Sequence, residues 1–411
     1  MLPALGLALV LAARAPATPA DTGGVEVSAA YTADLVGVAT GGVDPGVVAL
    51  DNLDVQLRLN GESLLGLPGL SAFVYGLANQ GGSPSAHVGD LQVLDNIDAP
   101  ASWRIYEAWV QQFLAGDRLS ILAGLYDVNS EFDAVGSADL FLNSSFGIEP
   151  AFGQSGVNGP SIFPVTSLAV RARALLGEGW RVQAVVADGV PGDPADPGGT
   201  KVRLGGGDGA LVVAEVGYLR PSARDVGPGS GPSTVRRRRA GRTEEEAPHD
   251  LEVAAGVWRY TGHVPEPADA PPGSAAPSGG DGAYVIGEAR LLPPDRAGAG
   301  ELWAFGMLGV AQERASLASS SVVLGVSGTG IVPGRPTDRF GLGLAAARRS
   351  RRLTGEAPGL PSWELTGEAS YRFRVTDAIA VQPDLQVVHH PAAAPSVPDA
   401  VVLGLRFEAD L

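Results

Sequence analysis

The sequence predicts an all-β protein, a transmembrane antiparallel β-barrel of about sixteen strands, on three observations. Beyond residue 20, apolar and polar residues alternate with a period of two, the period of a strand with one face in each environment. About sixteen such segments recur, each of roughly ten residues, as spanning strands require. Short and long connections alternate between them, as periplasmic turns alternate with outer loops in such a barrel. An even strand count then puts both ends of the chain on the periplasmic side.

The first element is "MLPALGLALVLAARAPATPA". Its apolar core, Leu2 to Ala13, is followed by small residues and prolines. This reads as an export signal over residues 1–20, cut after Ala17 or Ala20. No later stretch offers the run of about 20 apolar residues that a spanning helix needs. The barrel is therefore expected to occupy 21–411.

Strands are expected near 25–36, 50–60, 69–79, 102–114, 117–127, 162–176, 179–189, 208–219, 250–260, 282–292, 300–311, 320–332, 338–348, 362–375, 378–390 and 399–411. The later ones show the alternation well. "ELTGEASYRFRV" sets Glu364, Thr366, Glu368, Ser370, Arg372 and Arg374 on one face. Leu365, Gly367, Ala369, Tyr371, Phe373 and Val375 take the other, lipid-facing side. "IAVQPDLQVVHH" sets Gln382, Asp384 and Gln386 against Ile379, Val381, Leu385 and Val387. The last strand sets Arg406, Glu408 and Asp410 against Leu403, Leu405 and Phe407.

The long connections, 80–101, 128–161, 190–207, 261–281, 349–361 and 391–398, all fall on the outer side. One connection breaks the rule. Residues 220–249 should be a short turn, but they carry Arg236–Arg239 and Glu244–Glu246. Blocks of like charge with Gly and Pro imply a disordered, solvated periplasmic insertion. Among the tryptophans, Trp103, Trp258 and Trp363 lie near outer strand ends, and Trp180 and Trp303 near periplasmic ends. That is the placing of two aromatic girdles; Trp109 falls mid-strand.

Composition excludes several functions. A net charge of −16 gives phosphates no basic face, so nucleic acid is not a partner. With no cysteine there is neither a disulfide framework nor a thiolate metal site. Of the five histidines, His389 and His390 are adjacent and read as a solvated pair, not a zinc site. No cofactor and no catalytic residue are expected.

The stretch from Leu125 to Gly147 holds Asp127, Asn129, Glu131 and Asp133 in alternate positions. A calcium loop starting at Asp127 needs Gly at its sixth position and Glu at its twelfth. Phe132 and Ala138 stand there. A pair of glycosidase carboxylates would need one with a raised pKa, for which the sequence shows no environment. Read from the residues alone, Asp127 and Asn129 cap and fold the loop through local hydrogen bonds.

The blocks "LSILAGLYDVNSEFD", "LFLNSSFG", "SIFPVTSLAVRAR", "GRPTDRFGLGLAAARRS", "ELTGEASYRF" and "AVQPDLQVVHHP" followed by "VVLGLRFE" resemble the carbohydrate-selective porin family of OprB type, in the family's order and over nearly all of 21–411. The Gly-x-x-Asp-x-Asn-x-Glu-Phe and Gln-Pro-Asp-x-Gln blocks carry most of the likeness. The chain departs from the family at Leu411, where an aromatic residue is usual, and in the 220–249 insertion. The resemblance implies an outer-membrane porin of sixteen strands through which mono- and small oligosaccharides diffuse passively, and no enzyme. It implies that 128–161 folds into the lumen and narrows it, so that, as the alternative to local caps, these acidic residues line a constriction with Arg171 and Arg173 as the nearest basic partners and Arg372 and Arg374 as further ones. It implies sugars as permeants, outer-membrane lipid around the barrel, and room for a homo-oligomer. Candidate pore-lining residues are Asp127, Asn129, Glu131, Asp133, Arg171, Arg173, Glu368, Arg372, Gln382, Asp384 and Gln386. The competing readings are a general small-solute or anion porin and a secreted sugar-binding β-protein.

Overall fold

Every alternating segment is a strand in the computed structural model. It describes residues 23–177, 179–205, 207–222, 235–239, 242–246, 249–263, 278–293, 300–350 and 362–411. In chain order the barrel begins with β1 Val25–Thr40, β2 Val47–Asn60, β3 Leu70–Gly81, β4 Ser102–Leu114, β5 Leu119–Tyr126, β6 Ser167–Leu175, β7 Trp180–Asp188 and β8 Ala210–Pro221. Two strands outside it, β9 Val235–Arg239 and β10 Arg242–Glu246, follow. The barrel resumes with β11 His249–His263, β12 Ser278–Leu292, β13 Glu301–Ala311, β14 Ala318–Thr329, β15 Arg339–Arg349, β16 Trp363–Arg374, β17 Ile379–His389 and β18 Ala400–Asp410. Sixteen strands pair antiparallel in a ring that closes through β1 and β18. Closure is obligatory in lipid, because an open edge leaves backbone donors and acceptors with nothing to bond.

The alternation sets the two faces as read from sequence. On β16, Leu365 and Phe373 are 44% and 40% exposed on the outer surface, while Glu368 is 3% exposed inside. The outer face continues around the ring with Val55, Val110, Val182, Val257, Leu308, Leu344 and Leu403, all exposed.

The tryptophans correct one expectation. Trp103, Trp180 and Trp363 do face outward, but Trp258 and Trp303 are buried inside the barrel, as is mid-strand Trp109. Trp258 stacks on Phe152 with ring centroids 5.4 Å apart. Trp303 lies 5.2 Å from the ring of His249 and carries the Arg290 guanidinium 5.0 Å from its own centroid. Position along a strand suggested a girdle; the parity of the residue decides which face it takes.

Within 220–249, β9 and β10 pair antiparallel in a sheet apart from the barrel, with Arg237 opposite Glu244 and Arg236 opposite Glu245. Those residues thus take a strand pair where the charge blocks suggested irregular chain. The export signal of 1–20 lies outside the described residues.

The third outer loop, between β5 and β6, departs from the wall and fills much of the lumen. Its Phe132, Phe141, Phe146 and Phe152 are all nearly inaccessible and join the aromatic inner wall in one apolar cluster with Tyr75, Tyr106, Trp258, Tyr284 and Phe305. Phe141 and Phe146 stack at 4.3 Å, and Phe152 lies flat against Tyr284 at 6.0 Å. The wall makes room at Gly341 and Gly343 on β15. A Cβ at Gly341 would stand 2.8 Å from the Phe141 ring, closer than carbon atoms pack. Burying these four phenylalanines, each worth roughly 1.5–3 kcal/mol, is what draws a nominally outer loop inward. The second outer loop, between β3 and β4, is also tucked in. Its Val88 and Leu94 pack with Val36, Val38, Val388 and Val402 beside the β1–β18 seam.

Candidate functional site

Polar side chains on the inner wall hold the third loop chiefly by its backbone. Glu107 on β4 accepts from Asp127 N at 3.2 Å, and Glu215 on β8 from Asp133 N at 3.2 Å. Glu288 on β12 accepts from Ser137 N at 2.6 Å. The two oxygens of Glu368 on β16 accept from Leu142 N at 2.7 Å and Asn143 N at 3.0 Å. Gln382 donates to the carbonyl of Leu140 at 2.7 Å and Ser327 to that of Ser137 at 2.6 Å. A loop with little regular structure has backbone groups that no ladder satisfies, and a buried unpaired one costs about 1–3 kcal/mol. The wall carboxylates meet that need. Glu364 does the same for the second loop, accepting from Leu91 N at 2.7 Å and Gln92 N at 3.0 Å.

The residues of the Asp127–Asp133 stretch take distinct places. Asp127 is buried, accepts from Asn129 N at 2.8 Å and receives the Tyr106 hydroxyl at 2.7 Å. Asn129 donates to the carbonyls of Phe132, Asp133 and Gly147, at 3.2, 3.1 and 3.1 Å. These two fold the loop and also border the lumen. Glu131 pairs with Arg171 at 2.6 Å and with Arg173 at 3.6 Å, and takes the Tyr126 hydroxyl at 2.7 Å. Arg171 is only 1% exposed. Asp133 is wholly buried and accepts from Glu149 N at 3.0 Å.

Below the third loop, on the periplasmic side, lies an open cavity of about 940 Å³. One boundary is the loop segment Val135–Phe141; others are the inner faces of β1, β2 and β12–β18. Of the candidate residues, Asp127, Asn129, Arg372 and Gln382 border it. Glu131, Asp133, Arg171, Arg173, Glu368, Asp384 and Gln386 do not. Gln386 instead spans the two inner loops, donating to Leu94 O at 2.9 Å and accepting from Asn143 at 3.2 Å.

Further charged groups line the cavity: Arg406 and Glu408, from the polar face already read on the last strand, and Arg290, Arg339, Asp54 and Glu301, which were not singled out from sequence. Most are paired. Arg339 meets Asp139 of the loop, Arg372 meets Glu408, and Arg406 meets Asp34 at 2.7 Å and Asp95 at 3.1 Å. Their signal was present for β16 and β18, whose inward faces were read correctly. For β12 and β15, small and apolar residues on both faces hid it.

In the second loop, burial and then the neighbouring Glu364 push the Asp90 carboxyl up to about 8. Burial and the Asp34 carboxylate also raise Asp95, against the pull of Arg406.

The fold resembles solved outer-membrane channels. The chain matches the high-pH structure of Pseudomonas putida OprB with a TM-score of 0.75, at 17% identity over 94% of both chains. It matches the outer membrane channel DcaP of Acinetobacter baumannii with a TM-score of 0.53, at 12% identity, over 95% of this chain and 99% of that one. In sequence it is 23% identical to Porin B of Pseudomonas aeruginosa over 336 residues, 75% of this chain and 68% of the relative. Residues 45–411 match the family described as carbohydrate-selective porin, OprB family. A closed sixteen-stranded barrel with an apolar outer face, narrowed from within by its third outer loop, belongs to that family: the chain is a carbohydrate-selective porin of the outer membrane.

Proposed function

We propose that mono- and small oligosaccharides pass this barrel by passive diffusion, along a path that runs beside the third loop into the cavity beneath it. The observation that carries this reading is the anchoring of the loop. Wall carboxylates hold its backbone at Asp127, Asp133, Ser137, Leu142 and Asn143, so it is a fixed obstruction in the lumen. Along the path, Asp127, Asn129, Arg372 and Gln382 offer donors and acceptors to sugar hydroxyls, with Arg339, Arg406 and Glu408 completing a paired band. Pairing Arg with carboxylate leaves hydrogen-bonding edges without a strong field of one sign, which suits a neutral permeant. The Arg171–Arg173 face, which would favour an anion, is engaged by Glu131.

Liposome swelling with sugars of increasing size tests the proposal. The expected result is a sharp size cutoff in the wild type, and a cutoff moved to larger sugars when about ten residues of the loop are removed. An unchanged cutoff in a shortened variant whose unboiled gel mobility still shows a folded barrel would place the limiting width elsewhere.

A further inference from the structure

The outer end of β17 carries an arrangement that sugar diffusion does not use. His389 is the last residue of that strand and His390 the next. Successive residues of a strand point to opposite faces. Here the backbone reverses at His390, in the left-handed region with φ 53° and ψ 63°. That conformation is uncommon for a residue with a side chain and disfavoured before a proline such as Pro391. Its effect is to set the two imidazoles side by side, their centroids 3.8 Å apart.

A carboxylate meets them there. Asp399 Oδ2 lies 2.6 Å from His389 Nδ1, and Asp399 Oδ1 accepts from His390 N at 3.0 Å. The backbone of Asp399 is itself confined. The first outer loop crosses it at Gly41, where any Cβ would strike the Asp399 carbonyl, and Gly42 N donates to Pro398 O at 3.1 Å. One nitrogen from each ring and one Asp399 oxygen lie within 4.8 Å of one another. The His389 and Asp399 side chains are each about half exposed, so an ion can arrive from solvent.

We propose that His389, His390 and Asp399 form a binding site for a borderline divalent transition ion, Zn²⁺ or Cu²⁺, on the outer rim of the barrel. Two imidazoles and one carboxylate suit such ions. Calcium and magnesium, which take oxygen ligands, are excluded by the same donor set. Three protein donors on an exposed rim leave a further position for water or an external ligand.

The test is titration of tag-free, full-length porin in detergent with ZnCl₂, followed calorimetrically, and with CuCl₂, followed by electron paramagnetic resonance. The expected result is one ion per chain, with nitrogen hyperfine structure from two imidazoles. Binding should weaken at least tenfold in each of His389→Ala, His390→Ala and Asp399→Asn. Excess Mg²⁺ should not displace the ion. Unboiled gel mobility and sugar flux report that each variant still folds. Absence of saturable binding below about 1 mM would overturn the proposal. So would binding that persists in both histidine variants but disappears in His249→Ala, which would put the ion at the buried His249, Glu252 and Glu288 cluster instead.

Discussion

Glu368 and Arg372 stand four residues apart on the inward face of β16, and they meet different halves of the lumen. Glu368 lies against the third loop, with both oxygens on loop amides. Arg372 lies below the loop, beside Glu408, and borders open cavity. The same contrast runs around the ring. At mid-height the wall's carboxylates are structural acceptors for another segment's backbone. On the periplasmic side, charged groups pair along the wall and border the open cavity. Facing the lumen is therefore not the same as bordering the open cavity.

The largest expected effect is at a buried ion pair of the third loop. Glu131→Gln keeps size and some hydrogen bonding but leaves the buried Arg171 without its counter-charge. Breaking a buried pair costs about 3–5 kcal/mol, so the variant should lose its heat-shifted gel mobility at a distinctly lower denaturant concentration. A variant as stable as wild type with altered ion selectivity would return Glu131 to the path.

Next comes the pair on β16. Glu368→Ala should release two buried amides at about 1–3 kcal/mol and loosen the loop, seen as added noise in single-channel current. Arg372→Gln should leave the current quiet and shift ion selectivity toward cations. Noise in the second variant, or a pure selectivity change in the first, would erase the distinction between the regions.

A further effect is pH-dependent. Asp90 sits at about 8 in the docked second loop, against an ordinary value near 4 when undocked. Between those values the docked loop holds a proton that the free loop releases. Docking is therefore strongest at low pH and weakens as pH rises through the window toward 8. Amide-exchange protection over 82–101, taken relative to the intrinsic rate at each pH, should be lower at pH 8 than at pH 5, and Asp90→Asn should flatten the difference.

Much of the fold was legible because a strand's period of two needs only nearby residues to be read. Glu364 to Arg374 and Gln382 to Gln386 fell on the correct face for that reason. Trp258 and Trp303 were misplaced because both faces of β11 and β13 are apolar: one meets lipid, and the other meets the phenylalanines of the third loop. The roles of Glu107, Glu215, Glu288 and Glu368 were not legible. Each bonds a backbone amide, which has no residue identity to read, and Glu368 reaches its loop partner across 226 positions of sequence. Asp399 joining His389 and His390 was hidden by a backbone reversal that alternation cannot encode.

The seam between β1 and β18 sets the order of events during biogenesis. Asp34 and Arg406 are 372 positions apart, and their bidentate contact, at 2.7 to 3.0 Å, forms across that seam. Local hairpins can zip up early, but the ring cannot shut until the C-terminal strand has been exported and delivered to its partner. Until then the chain has two sticky edges, each able to recruit a foreign strand. Closure of a barrel of this kind is thus its last step, and its two end strands are the ones that most need shielding before it.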